Sequence, residues 1–261
     1  MRPSQALYSA LAPSYAEHFD VPHRRAYDTL AWEQVRQLLP RRGPVVDAGC
    51  GIGRWVGPLL GLGYDVIGIE QAPGMIAEAR RADHGPGFTL IEGSMETAEL
   101  PEASAGLVLA LGSLQYTADP AATVRRFASW LRPGGTVAVL VDSLVALVIE
   151  LLRDGRYDEA TERLRTRRGS WAVAGQEAEM HLMDRAGLHR IFQDAGLEEV
   201  RVSGLLATAA PLGRKLLAEQ LRHDWDAHLS LERQLLAEPV LADIGKQLLA
   251  TGRRPAVGPG E

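Results

Sequence analysis

The chain has 261 residues and a formal net charge of -5, with 46% apolar and 23% charged residues, the balance of an ordinary soluble globular protein. A mildly acidic chain is a poor generic partner for nucleic acid, because phosphate contacts need an excess of Lys and Arg. The lone cysteine, Cys50, excludes an intrachain disulfide and favours a reducing cytosol. The length suits one domain with embellishments.

Taken in chain order, residues 1–11 lack the apolar run of a signal peptide. Residues 4–39 read as helical and carry Tyr8, Tyr15, Phe19, Tyr27 and Trp32. From Pro44 to about Val141, short apolar runs alternate with helix-like runs. Residues 45–48, 65–69, 88–92, 107–111 and 136–141 read as doubly buried parallel strands. Between them, 55–62, 73–82 and 120–131 show apolar residues at helical spacing. Pro73 and Pro120 stand near helix starts, where a missing N–H costs little. "RPGG", at 132–135, ends a helix and turns into the next strand. Such alternation predicts a doubly wound α/β sheet.

The most apolar stretch, 135–152, is interrupted by Asp142 and Glu150, so it reads as a strand running into a helix rather than a membrane span. Residues 144–168 continue as an amphipathic helical insertion. The basic run "RLRTRR" at 163–168 reads as a solvated helix end. A further helix covers 183–195 and a strand 198–203. Residues 211–236 are helical, 245–251 form a last strand, and "RRPAVGPGE" is an expected disordered tail. No repeat or low-complexity linker divides the chain. The reading is one domain over 1–252, with a core at about 40–142 and 181–252. An N-terminal lid spans 4–39, helical insertions about 144–175 and 211–236 form a cap, and 253–261 is the tail.

The informative turn is "VVDAGCGIGRW". Gly49, Gly51 and Gly53 follow a strand and precede a helix, at the sheet edge where open α/β folds bind ligands. A phosphate-binding P-loop would need Lys and a hydroxyl residue after its last glycine; Arg54 and Trp55 stand there. A dinucleotide fingerprint starting at Gly49 would place its third glycine at Arg54, so that match fails. Asp47 just before the turn repels a pyrophosphate and suits a ligand with a cationic end. Glu70 ends the second strand about twenty residues on, where a carboxylate can accept both hydroxyls of a ribose. NAD and S-adenosylmethionine (SAM) both carry that ribose.

"VVDAGCGIGRW", "VIGIEQAPGMI", "LIEGSMETAELP", "LVLALGSLQYTADP" and "LRPGGTVAVLV" resemble the successive motifs of class I SAM-dependent methyltransferases, in order and spacing. The resemblance is strong over 44–141 and moderate over 181–204. It implies a Rossmann-like, mostly parallel seven-stranded sheet with N-terminal helices and a helical cap. It also implies an enzyme that uses SAM and releases S-adenosylhomocysteine (SAH). Gly49, Cys50 and Gly51 would form the cofactor turn, with Cys50 a small filler. Asp47 would help hold the methionine ammonium and Glu70 the ribose diol. Gln71 and Met75 would border ribose and adenine. Ser94 replaces the usual acid before adenine, which would then be read by Ser94 or by Met95. Leu111 would lie beside the cofactor, and Tyr15 or Tyr8 would close over it.

Methyl transfer from a sulfonium is an in-line displacement, so the enzyme must mainly align the acceptor and exclude water. A base is needed only if the acceptor still carries its proton. Gln115 and Tyr116 follow the fourth strand and should line the transfer site. His18 in the lid and His181 before the later helix are the candidate bases. Trp171, Trp225, His223 and His228 are weaker cap candidates. No zinc-spaced Cys/His set occurs, so no metal is expected. The N/D-P-P-Y signature of many nucleobase and glutamine N-methyltransferases is missing. The expected function is methylation of O, N or C on a small acceptor, by a cytoplasmic monomer or homodimer with neither nucleic acid nor membrane as partner. The alternatives are RNA or protein methylation, or SAM binding without catalysis.

Overall fold

Val45–Ala48 (β1) has four buried residues in a row, as a strand covered on both faces requires. Its neighbours are Val66–Glu70 (β2), Phe88–Glu92 (β3), Ala105–Leu111 (β4) and Leu131–Asp142 (β5). In the computed structural model, which describes residues 1–256, these five pair in parallel in the order β3-β2-β1-β4-β5. Glu198–Leu205 (β8) and Gln247–Arg253 (β9) complete seven strands, with β9 antiparallel to both β5 and β8. The expected sheet is therefore present. The chain order reverses between β1 and β4, the switch point at which such sheets open a ligand crevice.

Strand alternation divides the core. Val46, Val108 and Val139 face Phe127, Trp130, Leu188 and Phe192. These belong to helices Pro120–Trp130 (α6) and Arg185–Asp194 (α9). Val45, Leu107 and Leu109 face Tyr27, Leu30 and Val35 of helix Pro22–Leu38 (α3). Leu59 of helix Val56–Leu60 (α4) joins this second face, as do Leu217 and Leu221 of helix Ala209–His223 (α10). The N-terminal segment is helical as expected, in three pieces: Pro3–Leu11 (α1), Tyr15–Phe19 (α2) and α3.

The insertion departs from expectation. It is helical over Leu144–Arg153 (α7) and Tyr157–Thr166 (α8), but Arg168–Val173 (β6) and Gln176–His181 (β7) form an antiparallel hairpin. Ala174 and Gly175 both have positive φ, 52° and 71°, as a two-residue type I′ turn demands. The 211–236 run is two helices, α10 and Trp225–Leu236 (α11), with Asp224 capping α11 through Ala227 N. Arg253 closes β9, and Arg254 N donates to Gly135 O at 2.8 Å. Residue 253 thus belongs to the sheet and residue 254 is bonded beside it rather than starting a tail; residues 257–261 of that expected tail lie outside the described residues. No helix among the described residues is long and apolar enough to cross a membrane.

Candidate active site

The glycine turn leaves β1 through Gly49, Gly51 and Gly53, all at positive φ. The three serve different ends. A Cβ on Gly49 would lie 2.4 Å from Ser113 Cβ, and one on Gly53 2.3 Å from His84 Nε2, so both are fixed by packing. A Cβ on Gly51 would meet nothing nearer than Met75 Sδ at 4.0 Å. Gly51 therefore faces open space. That space is a cavity bounded by Gly51, Glu70, Gln71, Met75, Met95 and Leu111, with Tyr8 and Tyr15 across it.

Glu70 is 8% exposed. Its Oε2 accepts from Gly51 N at 2.9 Å, and its Oε1 accepts from Gln71 N and Ala72 N at 2.8 Å each. One carboxylate thus ties the glycine turn to the start of helix Pro73–Arg81 (α5). Burial raises its pKa, and the three N–H donors pull the other way. Asp47, 1% exposed, has an Oδ2 without a donor among the described residues. Burial, with a smaller push from Glu70 and against the pull of Arg54, lifts its pKa to about 7.

Helix α1 is fastened over the cavity. Gly74 N donates to Ser9 Oγ at 3.2 Å, and Arg2 pairs with Glu96. Three expected residues stand apart from the cavity wall: Asp47, buried near the end of β1, Cys50 and Ser94. The Cys50 side chain lies beneath β2, its Sγ 2.8 Å from where a Cβ on Gly68 would be. Burial raises its thiol pKa well above the usual value. Ser94 Oγ accepts from Glu96 N at 3.2 Å and so braces its own turn. The chain reaches the cavity at its neighbours Gly93 and Met95 instead.

A second cavity of about 260 Å³ adjoins the first through Tyr8, Tyr15, Leu111, Gly112 and Tyr116. Gln115 and Tyr116 line it. Gln115, 3% exposed, donates from Nε2 to Asp142 Oδ2 at 2.7 Å and accepts from Asp142 N at 2.8 Å. It fixes the carboxylate at the end of β5. The Tyr116 ring meets Tyr8 edge-on at 5.5 Å, and burial with Asp142 pushes its hydroxyl up to about 12.

Neither candidate histidine reaches this wall. The His18 ring lies 5.7 Å from Trp171, with its Nε2 buried and without a partner among the described residues. Burial, then Arg24 and Arg214, lower its pKa. His181 sits in the outer groove with Nε2 3.1 Å from Arg168 Nη1, because alternation along β7 turns Met180 inward instead. Of the cap candidates, Trp171 lines the cavity. His223 and His228 border a separate hollow on α10 and α11, and Trp225 packs against the second core face. Sequence reasoning missed His23, Arg24, Asp142, Arg214 and Lys246, all on the cavity wall. Arg24 had a legible signal, since it lies three and seven residues before buried Tyr27 and Ala31 on one stripe of α3. Among the described residues no three His, Cys, Asp or Glu side chains group as a metal site.

A family model described as a methyltransferase domain matches residues 46–139. The tRNA 5-carboxymethoxyuridine methyltransferase of Escherichia coli K12 is 22% identical over 235 residues, covering 87% of each chain. The trans-aconitate 2-methyltransferase of Methylobacterium nodulans is 37% identical over 132 residues, 49% of this chain and 48% of that one. A Thermotoga maritima SAM-dependent methyltransferase, described as a possible histamine N-methyltransferase, superposes with a TM-score of 0.60 at 19% identity, over 95% of this chain and 99% of that one. The chain carries a methyltransferase domain over residues 46–139 and is a SAM-dependent methyltransferase with the class I fold.

The cavity of this methyltransferase fits its cofactor. SAM brings a cationic ammonium, a ribose diol and a flat base. The first cavity offers a carboxylate on Glu70, open space at Gly51 and apolar walls at Met75, Met95 and Leu111, and the donor-free oxygen of Asp47 is buried two residues before the turn's first glycine.

Proposed function

We propose that this methyltransferase moves the methyl group of SAM to an O, N or C atom of a small molecule held in the second cavity. The observation that carries the reading is the common wall between the two cavities, with Tyr8, Tyr15, Leu111 and Tyr116 at the junction. Bound SAM supplies an electrophilic methyl group on sulfur.

The chain's residues do the rest. Asp47 meets the ammonium, and Glu70 keeps the turn in place while presenting its Oε2 to the ribose. Gln71 and Met75 border the ribose and base, and Met95 contacts the base. Tyr8 and Tyr15 shield the transfer point from water, which strengthens every polar contact inside. Tyr116 and Leu111 align the acceptor with the methyl group. Asp142, held by Gln115, is the carboxylate nearest this role for accepting an acceptor proton; His18 and His181 lie outside the cavity wall.

The named relatives bracket the choice between a small acceptor and RNA. The surface favours the small acceptor. Arg163 pairs with Glu159, Arg165 with Glu162 and Arg167 with Asp184. That basic run is thus largely neutralised by the chain itself. Calorimetric titration with SAM and SAH, followed by a mass-spectrometric screen of metabolites for methylated product, tests the reading. Binding of both with methylation of a free metabolite is the expected result. Methylation of RNA or protein fractions alone would overturn it.

A further inference from the structure

The second cavity contains more charge than methyl transfer requires. Two of its cations are already matched. Arg54 Nη1 lies 2.7 Å from both carboxylate oxygens of Asp28, and Lys246 Nζ lies 2.9 Å from both of Glu150. Two others are not. Arg24 and Arg214 form no ion pair among the described residues, and both line the cavity. The Arg24 guanidinium is held 4.6 Å from the centre of the Phe19 ring, a cation–π contact that fixes the fork without neutralising it.

Arg24 is half-buried while Arg214 is exposed at the rim, and a half-buried cation is costly to keep without a counter-charge. The only carboxylate on this wall without a cationic partner among the described residues is Asp142, and Gln115 bonds its Oδ2 and its backbone N–H. His23 shares this wall. Burial, then Arg24, Arg214 and Lys246, push its pKa down to about 4. The imidazole therefore stays neutral beside them near pH 7 and adds no further positive charge.

We infer that the acceptor carries a carboxylate, gripped by the Arg24 guanidinium with Arg214 beside it at the cavity mouth. This rests on the second cavity being the acceptor pocket. The chemistry selects a carboxylate in two ways. A planar guanidinium matches a carboxylate through two parallel N–H···O bonds. Two unpaired arginines against one unpaired aspartate leave a single positive charge, which one carboxylate balances; a phosphate dianion would overshoot it.

The test uses the full chain loaded with SAH. Phenylacetate and indole-3-acetate are titrated calorimetrically, each against its amide, with phenylphosphonate as the dianion. SAH is titrated first, so that a failed cofactor site shows as absent SAH heat and takes both readings down together. With SAH bound, at least one acid should bind about tenfold or more tightly than its amide. Arg24→Gln should abolish that preference while SAH affinity stays unchanged and the unfolding midpoint does not fall. Arg24→Lys should recover part of it, and Arg214→Gln should weaken it less. Equal binding of acids and amides, or an acid preference that survives Arg24→Gln, would overturn the carboxylate grip while leaving the methyltransferase reading standing. A phosphonate preferred over every carboxylate would overturn it as well.

Discussion

Asp47 is a buried carboxylate whose Oδ2 lacks a donor, with a pKa raised to about 7. In the unfolded chain an aspartate titrates near ~3.9. Between these values the folded protein binds a proton that the unfolded chain has released, so stability falls as pH rises through that window. Asp47→Asn should therefore raise the urea midpoint of the free protein at pH 7.5, change it little at pH 4, and flatten the slope between. Cofactor binding should run the other way, because the ammonium of SAM favours the charged carboxylate. SAM affinity should climb by up to about tenfold per pH unit from pH 5.5 to 7, and calorimetry on Asp47→Asn should show that climb lost. Glu70 makes a second prediction. Its three backbone N–H partners would be left unbonded in Glu70→Ala, at a cost of roughly 1–3 kcal/mol for a buried donor. The variant should lose both unfolding free energy and at least tenfold in SAM affinity; an unchanged urea midpoint would contradict the bracing role. The positions of Asp47, Gly51 and Glu70 were legible because strand ends and glycines mark the sheet edge directly. Ser94 and Cys50 were not. Which way a small side chain turns at that edge depends on Glu96 and Gly68, which no local pattern reveals.

Among the elements, α1 and α5 show how the lid is seated. A Cβ on Gly74 would come within 2.6 Å of Ser9 O and 2.8 Å of Ser9 Cα, so this glycine is what lets the two helices touch. Gly74→Ala should push α1 away and break the Gly74 N to Ser9 Oγ bond. SAM should then leave faster and bind several-fold more weakly in stopped-flow fluorescence, with only a small loss of stability because α1 lies outside the main core. An unchanged dissociation rate would show that α1 does not hold the cofactor. The glycine stood in plain view in "APGMI", but its meaning depends on a helix sixty residues earlier. The β6–β7 hairpin was hidden for a different reason. Its strands alternate only weakly, reading "RGSWAV" and "QEAEMH", and its turn uses Ala174 where Asn or Asp would have announced a type I′ turn. Missing it also misplaced His181, since a hairpin strand sends alternate residues to opposite sides.

For the molecule as a whole, the parallel half of the sheet was readable because each strand is short, apolar and followed by a helix. The second cavity was not. Arg24, Asp142, Arg214 and Lys246 come from α3, β5, α10 and the approach to β9, and only the completed fold brings them to one wall. The first cavity has the same character, since it joins α1, the glycine turn and the ends of β2 and β4. A ligand that bridges such distant segments binds the native chain and not the unfolded one, so it must raise the unfolding temperature. SAH at a hundred times its dissociation constant should add about 2.7 kcal/mol. For a chain of this size that corresponds to roughly 5–10 °C in the calorimetric midpoint. NAD at the same concentration should add nothing, because Asp47 opposes a pyrophosphate at the turn. Equal shifts from both ligands would place the stabilising contact at the ribose and base alone, and would remove Asp47 from the account of how this site chooses its cofactor.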